Sequence, residues 1–253
     1  MSSQGIALVT GAARGIGREV ALRLADDGFD VAVNDIAESE NLDTLVAEIQ
    51  KRGRASSKCI ADVSQDTQVK EMVQRVVQQH GSLDVMVANA GILGPKKMLI
   101  EITSEEWDRV MSINARGPFL CYKYAGLQMI EQGRGGRIIG ASSMAGKQSI
   151  ASQGPYSVSK FAVRGLTQAA ALEFGVYGIT VNAYAPGIID TPMLTTAQTA
   201  DGVDVFTSYR DITPVKRIGL PQDITGLVSF LASKESSFIT GQTISVNGGL
   251  FFD

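Results

Sequence analysis

Histidine is all but missing from this chain: His80 is the only one among 253 residues. A histidine-dependent catalytic triad would have just that residue to draw on, which all but excludes one. The two cysteines, Cys59 and Cys121, lie far apart in sequence, so no metal site is expected from cysteine and histidine together. His80 itself follows a helical pattern and precedes Gly81, which reads as a helix C-terminal position. Both cysteines fall within apolar segments, where a free thiol acts as a small buried hydrophobe, and a reducing cytoplasm suits such a chain. Net charge is scarce too. The 23 basic and 26 acidic residues are interspersed and leave −3, so neither a nucleic-acid groove nor a polybasic membrane contact is expected. Met1-Ser2-Ser3-Gln4 has no basic segment, the apolar run Ile6 to Val9 is broken at Gly11, and no run is long enough to span a bilayer. A cytoplasmic protein with small-molecule chemistry is the expectation. With 44% hydrophobic residues, the chain can form one large α/β domain over residues 1–253.

Short β-branched runs alternate with longer amphipathic stretches. The runs are Ile6 to Thr10, Asp30 to Asn34, Ser56 to Ile60, Val85 to Ala88, Arg137 to Ala141, Thr180 to Ala185 and Thr243 to Val246. Helical spacing covers Gly15 to Asp26, Leu42 to Lys51, Gln65 to Gln79, Ser104 to Ile130, Tyr156 to Tyr177 and Pro221 to Ala232. This alternation predicts a doubly wound parallel sheet of seven strands with helices on both faces. Asp190 to Ile218 has no clear period, and so long a connection in a compact domain points to a candidate lid over 192–218.

After the first strand comes Thr10-Gly11-Ala12-Ala13-Arg14-Gly15-Ile16-Gly17, opening the first helix. Glycines there permit a tight turn and let a pyrophosphate approach the helix N-terminus, where N–H groups and the helix dipole attract anions. Asp35, followed by Ile36, ends the second strand, where a carboxylate can accept hydrogen bonds from ribose hydroxyls and repel a 2′-phosphate. That favours NAD(H) over NADP(H), although Arg14 in the turn pulls the other way.

Tyr156 and Lys160 stand four residues apart, so a helix puts both side chains on one face. A fixed ammonium beside a phenol lowers its pKa from about 10 and makes it a usable proton donor and acceptor.

With these features together, the chain resembles the short-chain dehydrogenase/reductase family over essentially its whole length. The likeness extends to Asp62-Val63, Asn89-Ala90-Gly91, Asn114, Ser143 thirteen residues before the tyrosine, and Pro186-Gly187-Ile188-Ile189-Asp190-Thr191. The resemblance implies a single Rossmann-type domain and an active ketone/alcohol oxidoreductase. It implies that Tyr156 is the catalytic acid/base, that Lys160 lowers its pKa and bonds the nicotinamide ribose, and that Ser143 holds the reacting oxygen. Asn114 would position a water linking Lys160 to solvent. Asp62 and Val63 would meet the adenine, Asn89 to Gly91 support sheet and cofactor, and the Ile189 backbone and Thr191 hold the carboxamide beside Pro186 and Gly187. A homotetramer paired through the long helices is the family expectation. Small residues on those helices agree, among them Ala125, Gly126, Ala162, Ala169, Ala170 and Ala171, and Phe251-Phe252 would dock at an interface.

The substrate is left open. Tyr156 to Gly187 and the ending Gly248 to Asp253 are similar to acetoin/diacetyl reductases and 2,3-butanediol dehydrogenases. The substrate side, however, presents Met144 and Ile150, which suits a more apolar ketone or secondary alcohol. A 3-oxoacyl-carrier-protein reductase is the alternative, with Arg116, Lys123 and Arg164 as a basic patch for an acidic carrier. A cofactor-sensing or interaction protein on the same fold is the alternative of another class.

Overall fold

The computed structural model describes residues 3–198 and 205–252. Its centre is a seven-stranded sheet in the order β3-β2-β1-β4-β5-β6-β7, parallel at every pairing. The strands are β1 (Ile6–Thr10), β2 (Asp30–Asp35), β3 (Ser56–Ile60), β4 (Val85–Ala88), β5 (Gly136–Ala141), β6 (Ile179–Pro186) and β7 (Thr243–Val246). Helices α1 (Gly15–Asp26), α2 (Glu40–Lys51), α3 (Asp66–His80), α4 (Ser104–Met111), α5 (Gly117–Gln132) and α6 (Gly154–Phe174) follow in chain order, then α7 (Pro192–Gln198), α8 (Val205–Ile212) and α9 (Pro221–Ala232).

Strand alternation divides the core between the two faces. Val9, Val31, Val33, Val87 and Ile139 point toward α1, α2 and α9. Leu8, Ala32, Met86 and Ile138 point toward α3, α5 and α6. Chain order reverses between β1 and β4, so a crevice opens beyond their C-terminal ends, the place where open parallel sheets bind ligands. Cys59 and Cys121 are both free and buried in the second face, and burial pushes the Cys121 thiol up to about 12.

The expected helix from Ser104 to Ile130 is not one α-helix. A π-turn, Ser112–Arg116, separates α4 from α5 and carries Asn114 into the core. An extra residue per turn leaves the apolar pattern running on, so periodicity alone does not show the break. Likewise α6 begins at Gly154 rather than Tyr156, because Pro155 is well suited to a first helical turn, and its last residues before Gly178 form a 3₁₀ turn.

The segment after β6 leaves the sheet through a clasp. The Gly219 N–H donates to the Ile188 carbonyl and the Asp190 N–H to the Gly219 carbonyl, both at 2.9 Å. A Cβ on Gly219 would meet the tip of the Ile189 side chain, which would have to shift to admit it. Between its ends lie α7 and α8; the part of the candidate lid at 199–204 lies outside the described residues.

Candidate active site

The turn after β1 is shaped by its glycines. Gly11 and Gly15 have φ of +63° and +59°, and a Cβ on Gly17 would collide with the Gly11 carbonyl. Arg14 occupies the N-cap of α1 without capping it, so the first N–H groups of that helix keep no side-chain partner. Such a terminus is built for an anion. The Asp35 carboxylate accepts from the Ala13 N–H (3.0 Å) and the Ile36 N–H (2.8 Å), which fixes its charge at the rim of the turn. Asn89 braces the arrangement: its amide donates to the Thr10 and Gly11 carbonyls, and its oxygen accepts from the Tyr184 hydroxyl at 2.8 Å.

A cavity of about 660 Å³ runs from this turn across the ends of β4, β5 and β6. It gathers nearly every residue the sequence singled out. Gly11, Arg14, Gly15, Ile16 and Gly17 line it with Asp35, Ile36, Asp62 and Val63 at one end. Asn89, Ala90 and Gly91 follow, and Pro186, Gly187, Ile189 and Thr191 form the opposite wall. Ser143, Met144, Ile150, Tyr156 and Lys160 complete it.

Asn114 stands apart. It is fully buried behind the wall, where a Cβ on Gly91 would meet its Oδ1 at 3.2 Å and Lys160 Nζ at 3.5 Å. Its amide is committed to protein partners. Oδ1 accepts from the Ile92 N–H (2.8 Å), and Nδ2 donates to the Ile92 carbonyl (2.7 Å) and the Ser159 hydroxyl (3.2 Å). The amide thus holds the loop after β4 against α6.

The phenol and the ammonium both feel their burial. Burial pushes the Tyr156 phenol above its ordinary value, and the Ser143 hydroxyl draws it partly back. Lys160 Nζ donates to the Ala141 carbonyl at 2.8 Å and lies 5.5 Å from the centroid of the Tyr156 ring. Burial lowers the Lys160 ammonium to about 8.

Several lining residues were not foreseen: Gln153, Lys96 and Tyr209 among polar ones, Ile92, Leu93 and Met193 among apolar ones. Gln153 had a readable signal, since it lies three residues before Tyr156 and immediately ahead of the Gly154-Pro155 start of α6. The others come from loops and from α7 and α8, whose positions no periodicity gives.

A family model described as enoyl-(acyl carrier protein) reductase matches residues 11–251. A short-chain dehydrogenase/reductase from Armillaria gallica is 53% identical, covering 99% of this chain and 98% of its own. The chain belongs to the short-chain dehydrogenase/reductase family. It is an oxidoreductase of that family, whose cofactor is a nicotinamide dinucleotide. The 3-oxoacyl-[acyl-carrier-protein] reductase FabG of Staphylococcus epidermidis is 44% identical over 97% of this chain and 98% of that one. Levodione reductase superposes with a TM-score of 0.93 at 33% identity, covering 98% of both chains. Acetoin dehydrogenase YohF from Salmonella typhimurium gives 0.88 at 32% identity over 99% of this chain and 96% of that one, in line with the expected likeness to acetoin reductases. No described helix of this reductase is long and apolar enough to cross a membrane.

Proposed function

We propose that this reductase interconverts a ketone and a secondary alcohol with NAD(H), using Tyr156 as the proton donor and acceptor. The observation that carries the reading is the placing of Ser143, Tyr156 and Lys160 on the same cavity as the glycine turn and Asp35.

The bound nicotinamide would supply or accept the hydride. Everything else is done by the chain. Gly11 to Gly17 receive the pyrophosphate at the α1 terminus, Asp35 takes the adenosine ribose hydroxyls, and Ile36, Asp62 and Val63 hold the adenine. Thr191 and the Ile189 main chain orient the carboxamide, while Asn89 to Gly91, Pro186 and Gly187 shape the trough beneath. Asp35 is pinned by two N–H groups and cannot turn away, so it disfavours a 2′-phosphate.

When a carbonyl is reduced, negative charge grows on its oxygen. Ser143 and Tyr156 meet that charge with two donors, and Tyr156 gives up its proton. A phenol keeps its proton at neutral pH, which suits reduction. The Lys160 ammonium steadies the resulting phenolate and reaches the nicotinamide ribose. Asn114 is a positioning residue that fixes Ile92 and, through Ser159, the face of α6 bearing Tyr156 and Lys160.

A 3-oxoacyl-carrier-protein reductase is the second reading, favoured by the likeness to FabG. The basic residues expected to serve it give little support: Lys123 pairs with Asp66 of α3 at 3.6 Å, Arg116 acts on the same carboxylate, and neither they nor Arg164 line the cavity.

The test is an absorbance assay at ~340 nm with NADH and NADPH against diacetyl, acetoin, an acetoacetyl thioester and bulkier ketones. Ketone turnover is expected with NADH ahead of NADPH, and Tyr156→Phe should lose at least about two orders of magnitude in kcat while still binding NADH. Near-normal turnover by the Phe variant would end the tyrosine assignment, and equal kcat/KM with both nucleotides would end the Asp35 argument.

A further inference from the structure

Gln153 occupies the N-cap of α6, a place where serine, threonine, aspartate or asparagine normally closes the first turn, yet its side chain caps nothing. Its main chain is fully engaged: Gln153 N–H donates to the Ile150 carbonyl at 3.2 Å, and its carbonyl accepts from the Ser157 N–H at 2.9 Å. The residue before it, Ser152, has φ of +61°, a left-handed conformation that costs a serine energy and is kept where the surroundings enforce it. Here the enforcing contact is the Lys97 N–H donating to the Ser152 carbonyl at 3.0 Å, in a lone parallel bridge that joins the loop after β4 to Gln153.

This effort places a half-buried primary amide, without a side-chain hydrogen bond among the described residues, on the wall of the cavity. Tyr156 and Lys160 share one face of α6, and Gln153, the residue that immediately precedes the helix, lines the same cavity. Lys160 reaches back to Ala141 at the end of β5, and Gln153 and Lys160 flank Tyr156 in sequence from opposite directions. Met144 and Ile150 line the same cavity and offer no competing hydrogen bond of their own from their side chains.

We propose that Gln153 determines substrate specificity by bonding a second oxygen of the substrate, carried on the carbon next to the reacting carbonyl or on the one after it. The assignment rests on the ketone reductase reading above and narrows it: the substrate is a hydroxyketone, diketone or 3-oxo carbonyl compound rather than a plain ketone. A primary amide suits this class because it can donate to a keto oxygen or accept from a hydroxyl. A plain ketone leaves the amide unmatched in a desolvated complex, the situation in which polar sites discriminate strongly.

The test compares matched pairs with NADH: acetoin against 2-butanone, and 2-hydroxycyclohexanone against cyclohexanone. The wild type should favour the oxygenated member by about tenfold or more in kcat/KM. Gln153→Met should abolish that preference, chiefly through KM, while leaving plain-ketone kcat and NADH affinity by fluorescence unchanged. Gln153→Glu supplies a second, independent readout, since a carboxylate accepts from a hydroxyl but cannot donate to a keto oxygen. It should retain acetoin and lose diacetyl. A wild type with no preference, or a preference that survives in both variants with NADH affinity intact, overturns the assignment alone. A wild type that reduces no ketone overturns the reductase reading and this assignment with it.

Discussion

Lys160 holds its charge where water barely reaches it, being 5% exposed, and donates to the Ala141 carbonyl. Burial lowers its pKa from 10.5 to about 8, so between those values the unfolded chain binds more protons than the folded one. Stability therefore rises with pH across that window, and the full cost of burying the ammonium is borne below pH 8. Lys160→Met should remove the cost while orphaning one carbonyl. The variant is expected to be inactive yet more stable than wild type near pH 7 by about 2 kcal/mol, being ~3 from desolvation less ~1 for the carbonyl. Urea melts at pH 7 and pH 10.5 check this: the advantage should vanish at the higher pH, and a variant less stable at both would contradict it. The residue types here were legible, since Tyr156 and Lys160 need only helical spacing to meet. Their charge balance was not, because desolvation depends on what surrounds a side chain rather than on its neighbours in sequence.

At the scale of elements, the π-turn between α4 and α5 places Asn114 so that one amide bonds both main-chain groups of Ile92. Extra turns of this kind recur at functional sites because they carry a side chain out of the helical register. Asn114→Ala should cost about 2 to 3 kcal/mol by leaving a buried N–H and C=O unpaired. Hydrogen exchange provides the local check, with protection of the Ile92 N–H falling more than that of the β1 or β4 strand amides; uniform loss across the sheet would mean a global effect instead. The strands were readable to within one residue at either end, the central ones because a strand buried on both faces is a short apolar run bounded by turn residues. The π-turn was not, since Ser112 to Arg116 carries no residue type that an ordinary α-helix would reject. Nor was the start of α6 at Gly154, two residues before Tyr156, and with it went the significance of Gln153.

For the whole molecule, the small residues first read as a pairing surface serve mostly within one chain: Ala125, Gly126, Ala170 and Ala171 are buried, and Gly126 leaves room for Phe174. What α5 and α6 expose is larger. Phe119, Leu127, Phe161 and Leu172 face outward, Leu172 at 83% exposure, and Phe252 stands exposed at the C-terminus. We expect four 26.9 kDa chains to associate through these faces, and light scattering on wild type and a Phe161→Glu/Leu172→Glu double variant checks it. A wild-type monomer, or a double variant of unchanged mass, would count against that assembly. The clasp at Ile188, Asp190 and Gly219 bears on how such a protein changes over generations. Its two ends are fixed side by side, and lengthening a flexible loop costs only about 0.6 kcal/mol per doubling. Insertions, deletions or whole grafts between those ends are thus cheap for the sheet, yet they alter which molecules reach Tyr156. Diversification of diet can proceed inside the clasp beyond Thr191, while Ser143, Tyr156 and Lys160 outside it are inherited unaltered.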